Sequence, residues 1–188
     1  ISTAGALDTY CIDKESAIPL LKGGLLLYEL SGNAVYLRYA KQAAQYFASW
    51  QMHHTVRFPE VSVLRDLGYD TFGGTTVSVQ HHHIDHFAVS IVPDWLRLAE
   101  HTGENIWRER AVAAWANATA IISDGTLAVG GRIRPAGGQD EGFCQTRWRT
   151  RWGESFGVSQ WLVAWPTAFR LEVLRSMDDW SLFRDCGM

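Results

Sequence analysis

The sequence predicts an all-α fold: a ring-shaped or stacked array of about two and a half helical hairpins, with one small β-hairpin inserted. Three observations carry that expectation. First, a helix–loop–helix unit is written twice. Leu27-Tyr28-Glu29-Leu30-Ser31-Gly32-Asn33-Ala34-Val35-Tyr36-Leu37 is answered by Leu98-Ala99-Glu100-His101-Thr102-Gly103-Glu104-Asn105-Ile106-Trp107-Arg108. Gly32 aligns with Gly103 at an offset of 71 residues, and the same offset pairs Tyr36 with Trp107, Ala40 with Ala111 and Ala43 with Ala114. Second, the first helix of the leading unit is apolar on nearly every face and the second on one face only, the alternation of inner and outer helices in a toroid or solenoid. Third, long irregular loops rich in polar and aromatic residues follow each hairpin, which is where helical arrays place their sites.

Along the chain, residues 1–14 read as an irregular lead-in, with Asp13 or Ser16 available to cap a helix. Ile18, Leu20, Leu21, Leu25, Leu26, Leu27, Tyr28 and Leu30 predict a helix buried all round, weakened by Gly23 and Gly24 unless close packing compensates. Pro19 fits its first turn. Gly32 ends it and Asn33 caps the next, about Ala34 to Met52. That helix is amphipathic, with Leu37, Ala40, Ala44, Phe47 and Ala48 on one stripe. His53 to Gln80 has no sustained period and reads as a long functional loop. A second buried helix is expected from Ile84 to Glu100, started or bent by Pro93, with an outer partner from Glu104 to Ile122. Leu127, Val129 and Ile133 alternate around Gly130-Gly131, a two-residue hairpin signal. Pro135 to Gly157 is irregular, and a third buried helix is expected from Val158 to Arg175.

The chain has 188 residues, enough for one domain with a core, so residues 1–188 read as a single domain. A net charge of −3 with interspersed signs gives no electrostatic case for nucleic acid or an anionic membrane surface. No apolar run reaches bilayer length. Cys11, Cys144 and Cys186 are odd in number and lack metal-type spacing, which fits free thiols in a reducing cytosol, so a cytoplasmic location is expected. Ile1 to Gly5 is not a signal peptide and lacks an initiator Met, hence the expectation that the sequence begins inside a longer polypeptide or after a cleaved segment. Nine Trp stand out, serving either as wedge-filling core or as stacking platforms for an apolar ligand face such as a sugar ring.

Three polar clusters flank the expected inner helices: Cys11 to Glu15, Gln80 to His86, and Arg134 to Glu141 running on to Trp152. If inner helices line a ring, their N-terminal tips share one mouth and the clusters gather there. The histidine run suggests metal, with His83 and Asp85 or His86 as chelators, yet no HExxH pattern is present. Hydrogen bonding at a polar pocket, or a satisfied helix N-terminus, competes with it, and neither a metal nor another cofactor is expected. Paired carboxylates suggest glycoside hydrolysis, which needs one carboxyl protonated and one ionised, about 5–5.5 Å apart for retention or about 6.5–9.5 Å for inversion. Asp140, Glu141 and Asp85 are the expected catalytic carboxylates, with Glu60 and Asp13 as others. Consecutive side chains diverge, so Asp140 or Glu141 would face a carboxylate from another segment. Arg134 and its neighbours could equally hold such a group in an ion pair. Trp148, Trp152, Tyr69 and Phe72 would floor a sugar site, and His82, His83, Gln139 and Arg134 would bind its hydroxyls.

Four segments resemble the C-terminal part of bacterial proteins in the six-hairpin glycosidase-like group: Asp13 to Leu20, Val77 to His83, Arg132 to Glu141 and Trp161 to Pro166. The resemblance implies an (α/α) toroid and a link to carbohydrate metabolism, and brings no residue-by-residue catalytic assignment. On it the fold reads as a partial (α/α) toroid. A complete ring needs twelve helices and this chain offers about five, so the remainder of the toroid or a second copy is the expected partner, alongside carbohydrate. Exposed lateral faces of an open ring favour a homo-oligomer.

Overall fold

In a computed structural model, residues 12–58, 60, 62–76, 78, 83–129, 131–140, 144–145 and 164–184 are described. The fold is mostly helical. Helix α1 spans Ala17–Ser31 and α2 spans Ala34–Ala48. Gly32 closes α1 in the left-handed region, at φ 68°, and its N–H donates to the Tyr28 carbonyl. A side chain would be strained there, which is why the helix stops at glycine. The Asn33 side chain then accepts from the Val35 N–H and starts α2. A single helical turn, α3, covers Val63–Asp66. Strands β1 (Thr75–Thr76) and β2 (His83–Asp85) come next, then a 3-10 turn at Phe87–Ile91.

Helix α4 (Val92–Thr102) ends at Gly103, φ 69°, and α5 runs Asn105–Thr119. The second hairpin is thus the first displaced by 71 residues: the ends of α1 and α4, and both ends of α2 and α5, coincide at that spacing. Strands β3 (Ala128–Val129) and β4 (Arg132–Ile133) form the expected hairpin, with Ala128 opposite Ile133. Strand β5 (Cys144–Gln145) joins β2 on the side away from β1, giving an antiparallel sheet ordered β1-β2-β5. Helix α6 (Trp165–Arg175) carries Pro166 in its first turn, where a missing N–H costs nothing. The expected stretch of this helix before residue 164 lies outside the described residues.

Small residues set the packing. Ala40, Ala43, Ala44 and Ala48 on α2, and Ala111, Ala114 and Ala118 on α5, are buried against the inner helices. Phe47 meets Trp95 edge-on at 5.7 Å between ring centroids, filling the gap between α2 and α4. Helices α1 and α2 pack tightly at Gly24, where an added Cβ would lie 3.0 Å from the Ala40 Cβ, the Ala40 nitrogen and the Tyr36 oxygen. A smaller second core, Leu64, Tyr69, Ile84 and Val129, sits beneath the strands.

Two expectations give way. Helix α1 is not covered all round: Leu20, Leu26, Leu27 and Leu30 are exposed, because α2 and α4 take only the opposite face. Nor is Ile84–Glu100 one helix. Ile84 is fully buried in the second core and extended in β2, and the Asp85 carboxylate accepts the Phe87 N–H, which tightens the chain into the 3-10 turn before α4 begins.

Adjacent glycines of α1 should respond with opposite sign. Gly24→Val pushes on α2 backbone and should lower the unfolding free energy by about 2 kcal/mol. Gly23, which meets nothing within 4 Å, should tolerate alanine with a gain of up to about 1 kcal/mol from helix propensity. Urea unfolding of the two variants checks both signs.

Candidate functional site

The tips of the two inner helices meet through charge. Lys14, just before α1, is fully buried, and its ammonium pairs with the carboxylate of Asp85, at the end of β2 and ahead of the 3-10 turn that leads into α4. The two residues are themselves 71 apart and so occupy equivalent places in the repeat. A buried ammonium is strongly destabilising unless paired and hydrogen-bonded, and Asp85 supplies both. The carboxylate is held on its other side by the Thr75 hydroxyl at 2.7 Å and the Phe87 N–H at 3.0 Å. The Lys14 ammonium also lies 5.4 Å from the centroid of the Phe87 ring.

Two further carboxyls crowd this pair. Asp13 is buried, accepts from the Ser16 N–H at 3.0 Å and the Ser16 hydroxyl at 2.9 Å, and its backbone pairs with Ser78. It therefore fixes the entry to α1, with Tyr46 Oη donating to its carbonyl at 2.6 Å. Glu15 is half-buried. Burial raises its carboxyl above the ordinary value; Lys14 opposes this, while the negative charges of Asp85 and Asp13 add to it. Beside the group stands an aromatic trio. The Phe87 centroid lies 4.9 Å from Phe169 and 5.8 Å from Trp165, and Trp165 and Phe169 are 5.6 Å apart. All three rings are partly exposed.

Behind the pair, His86 is 2% exposed. Burial lowers its pKa to about 4; the nearby Asp85 charge and the neighbouring Asn117 side chain resist that fall, and Arg170 adds to it. Asn117 in turn bonds the Tyr69 hydroxyl and donates to the Asp70 carbonyl at 3.0 Å. The loop carrying β1 is pinned on α5 at Gly73, φ 84°, where a Cβ would fall 2.1 Å from the Ala113 oxygen, so only glycine fits.

Of the expected site residues, Asp85 stands at the centre of this cluster. His83 lies in β2 opposite Gln145, so the histidine segment and the segment after Asp140 share one sheet. Arg134, Gln139, Asp140 and Tyr69 are buried and employed in holding loops. Arg134 Nε donates to both Asp140 oxygens, at 3.0 and 2.9 Å, and Asp140 is fully buried. Gln139 Nε2 donates to the Ala118 and Ala120 carbonyls at 3.1 and 2.8 Å, and its oxygen accepts from Arg170. Tyr69 packs on Phe58 within the second core. Glu141, His82, Trp148 and Trp152 lie outside the described residues. Sequence reasoning places Lys14 and Glu15 in a polar cluster without giving either a role, and passes over Phe87. The 71-residue spacing is the signal that points to Lys14, since it sets a cation against Asp85.

Among the described residues, no three His, Cys, Asp or Glu side chains converge as metal ligands, and no helix is long and apolar enough to cross a membrane. An open groove of about 520 Å³ between α2 and α5 is lined by Lys41, Glu104, Trp107 and Arg110. Its polar groups are already engaged: Lys41 pairs with Glu104, which also accepts from Trp107 Nε1 at 2.9 Å, and Arg110 donates to the Gln51 side-chain oxygen at 3.0 Å. No protein-family model, curated protein or solved structure matches this chain.

His86 makes stability depend on pH. Its folded-state pKa lies below the unfolded value of 6.5, so the unfolded chain binds the proton first. Its contribution is complete above pH 6.5 and is lost as pH falls toward 4, by about 3 kcal/mol. Urea titrations from pH 7 to pH 4 should show that loss, and His86→Gln should flatten the difference.

Proposed function

We propose that this chain is a carbohydrate-active domain, part of an (α/α) toroid, with Glu15 as the proton donor of a glycoside-hydrolase site and Asp85 as its anionic partner. The observation that carries the proposal is Glu15: a half-buried carboxyl beside Lys14, Asp85 and Asp13, whose pKa burial raises above the ordinary value, Lys14 opposing and the two carboxylates adding to the rise. Glycosidic cleavage needs such an acid at the leaving oxygen, with a second carboxylate nearby. The aromatic trio Phe87, Trp165 and Phe169 offers the apolar surface on which a sugar ring stacks. The work of the chain's own residues divides simply. Glu15 delivers a proton, Asp85 supplies negative charge against a developing oxocarbenium ion, and Lys14 holds Asp85 in place.

A second reading has its own observation. Both Asp85 oxygens are already engaged, by Lys14, Thr75 and Phe87, which suits a carboxylate that orients rather than attacks. On that basis the same rim would bind a saccharide without cleaving it.

Calorimetric binding and hydrolysis assays on an oligosaccharide panel separate the two. Turnover by the parent that drops at least about a hundredfold in Glu15→Gln, with sugar binding retained, supports the acid role. Sugar binding with no turnover by the parent supports the binding module. Neither binding nor turnover on any saccharide removes both.

A further inference from the structure

The exposed face of α1 has an internal counterpart that shows what kind of surface it is. At the 71-residue spacing, Leu20, Gly23, Leu26, Leu27 and Leu30 of α1 correspond to Ile91, Asp94, Arg97, Leu98 and His101 at the start of and along α4. In the second unit that face is a seam. Ile91 and Leu98 are fully buried, and Asp94, Arg97 and His101 hold α1 through Lys22 and Glu29. In the first unit the apolar positions persist as Leu20, 50% exposed, and Leu27, 45% exposed. Every polar seam position has become glycine or leucine, including Leu26 at 53% and Leu30 at 76% exposed. Gly23 opens a notch in the middle, since a Cβ there meets nothing within 4 Å.

A helix bearing the charges of Lys22 and Glu29, the face that α4 accepts, would find no ion-pair partner on this stripe. What the stripe does match is itself: an uncharged ridge of leucines flanking a notch can receive its own copy about a two-fold axis, glycine against glycine, with Leu20 of each helix meeting Leu26 and Leu27 of the other. Nothing described in the chain covers it, and four exposed leucines in one stripe are an apolar patch of the kind that marks an interface. We infer that α1 is a homodimerisation helix, packing antiparallel on α1 of a second copy with the crossing near Gly23.

Light scattering of the full chain across micromolar concentrations tests this. A reversible dimer is expected, and Leu27→Lys should raise its dissociation constant at least about tenfold with an unchanged circular dichroism spectrum. Leu171→Lys, at an exposed leucine of α6, should leave it unaltered. Under mild oxidation, Gly23→Cys should yield a dimer whose peptide map joins residue 23 to residue 23. A monomer throughout the range overturns the inference. So does a dimer indifferent to Leu27→Lys, or one dissolved by Leu171→Lys, which would place the contact on α6.

Discussion

The fold turns on one buried ion pair. Lys14 and Asp85 stand at equivalent positions before the two inner helices, and each is tolerable in the interior only because of the other. Their contact fixes the starting tips of α1 and α4 on a common rim. Thr75 and the Phe87 N–H then complete the carboxylate, so β1 and the 3-10 turn are tied to the same point. Asp13 and Glu15 are drawn in on either side of Lys14, and the aromatic trio joins them because Phe87 lies over the ammonium. Structure and chemistry thus share a single electrostatic arrangement. The charge that offsets Lys14's desolvation also adds to the rise that burial imposes on the Glu15 carboxyl.

The repeated hairpin was legible in the sequence because its signals are local. Gly32 and Gly103 need left-handed backbone, Asn33 caps α2, and the alanine stripes of α2 and α5 recur at helical spacing. The β3–β4 hairpin was legible for the same reason, through alternation around two glycines. Strand β2 was not. Ile84 keeps helical spacing with Ala88 and Ile91, and what makes it extended is pairing with β1 and β5, which are set by tertiary contact rather than by local pattern. The all-round apolar character of α1 suggests complete burial, but periodicity reports that a face is apolar, not that a neighbour exists to cover it.

The site was less legible than the fold, and the reason is physical. Asp140, Gln139, Arg134 and Tyr69 are polar residues in glycine-rich loops, which gives them the look of ligand contacts. Loops at the ends of helices leave carbonyls and turns to be satisfied, and these side chains do that work: Gln139 and Arg170 cap the end of α5, and Asp140 neutralises Arg134. The convergence of distant clusters was a sounder guide than any one residue. The segment at Asp13–Glu15 meets Asp85, and the stretch after Asp140 pairs beside His83.

The most direct test of that rim is a double-mutant cycle on Lys14→Met and Asp85→Leu, read out by urea unfolding. If the pair joins the helix tips as described, each single change costs about 3–5 kcal/mol by stranding a buried charge, and the double variant recovers much of that loss. Single changes that each cost under about 1 kcal/mol, or costs that simply add within about 0.5 kcal/mol, would contradict it and leave the shared rim without its support.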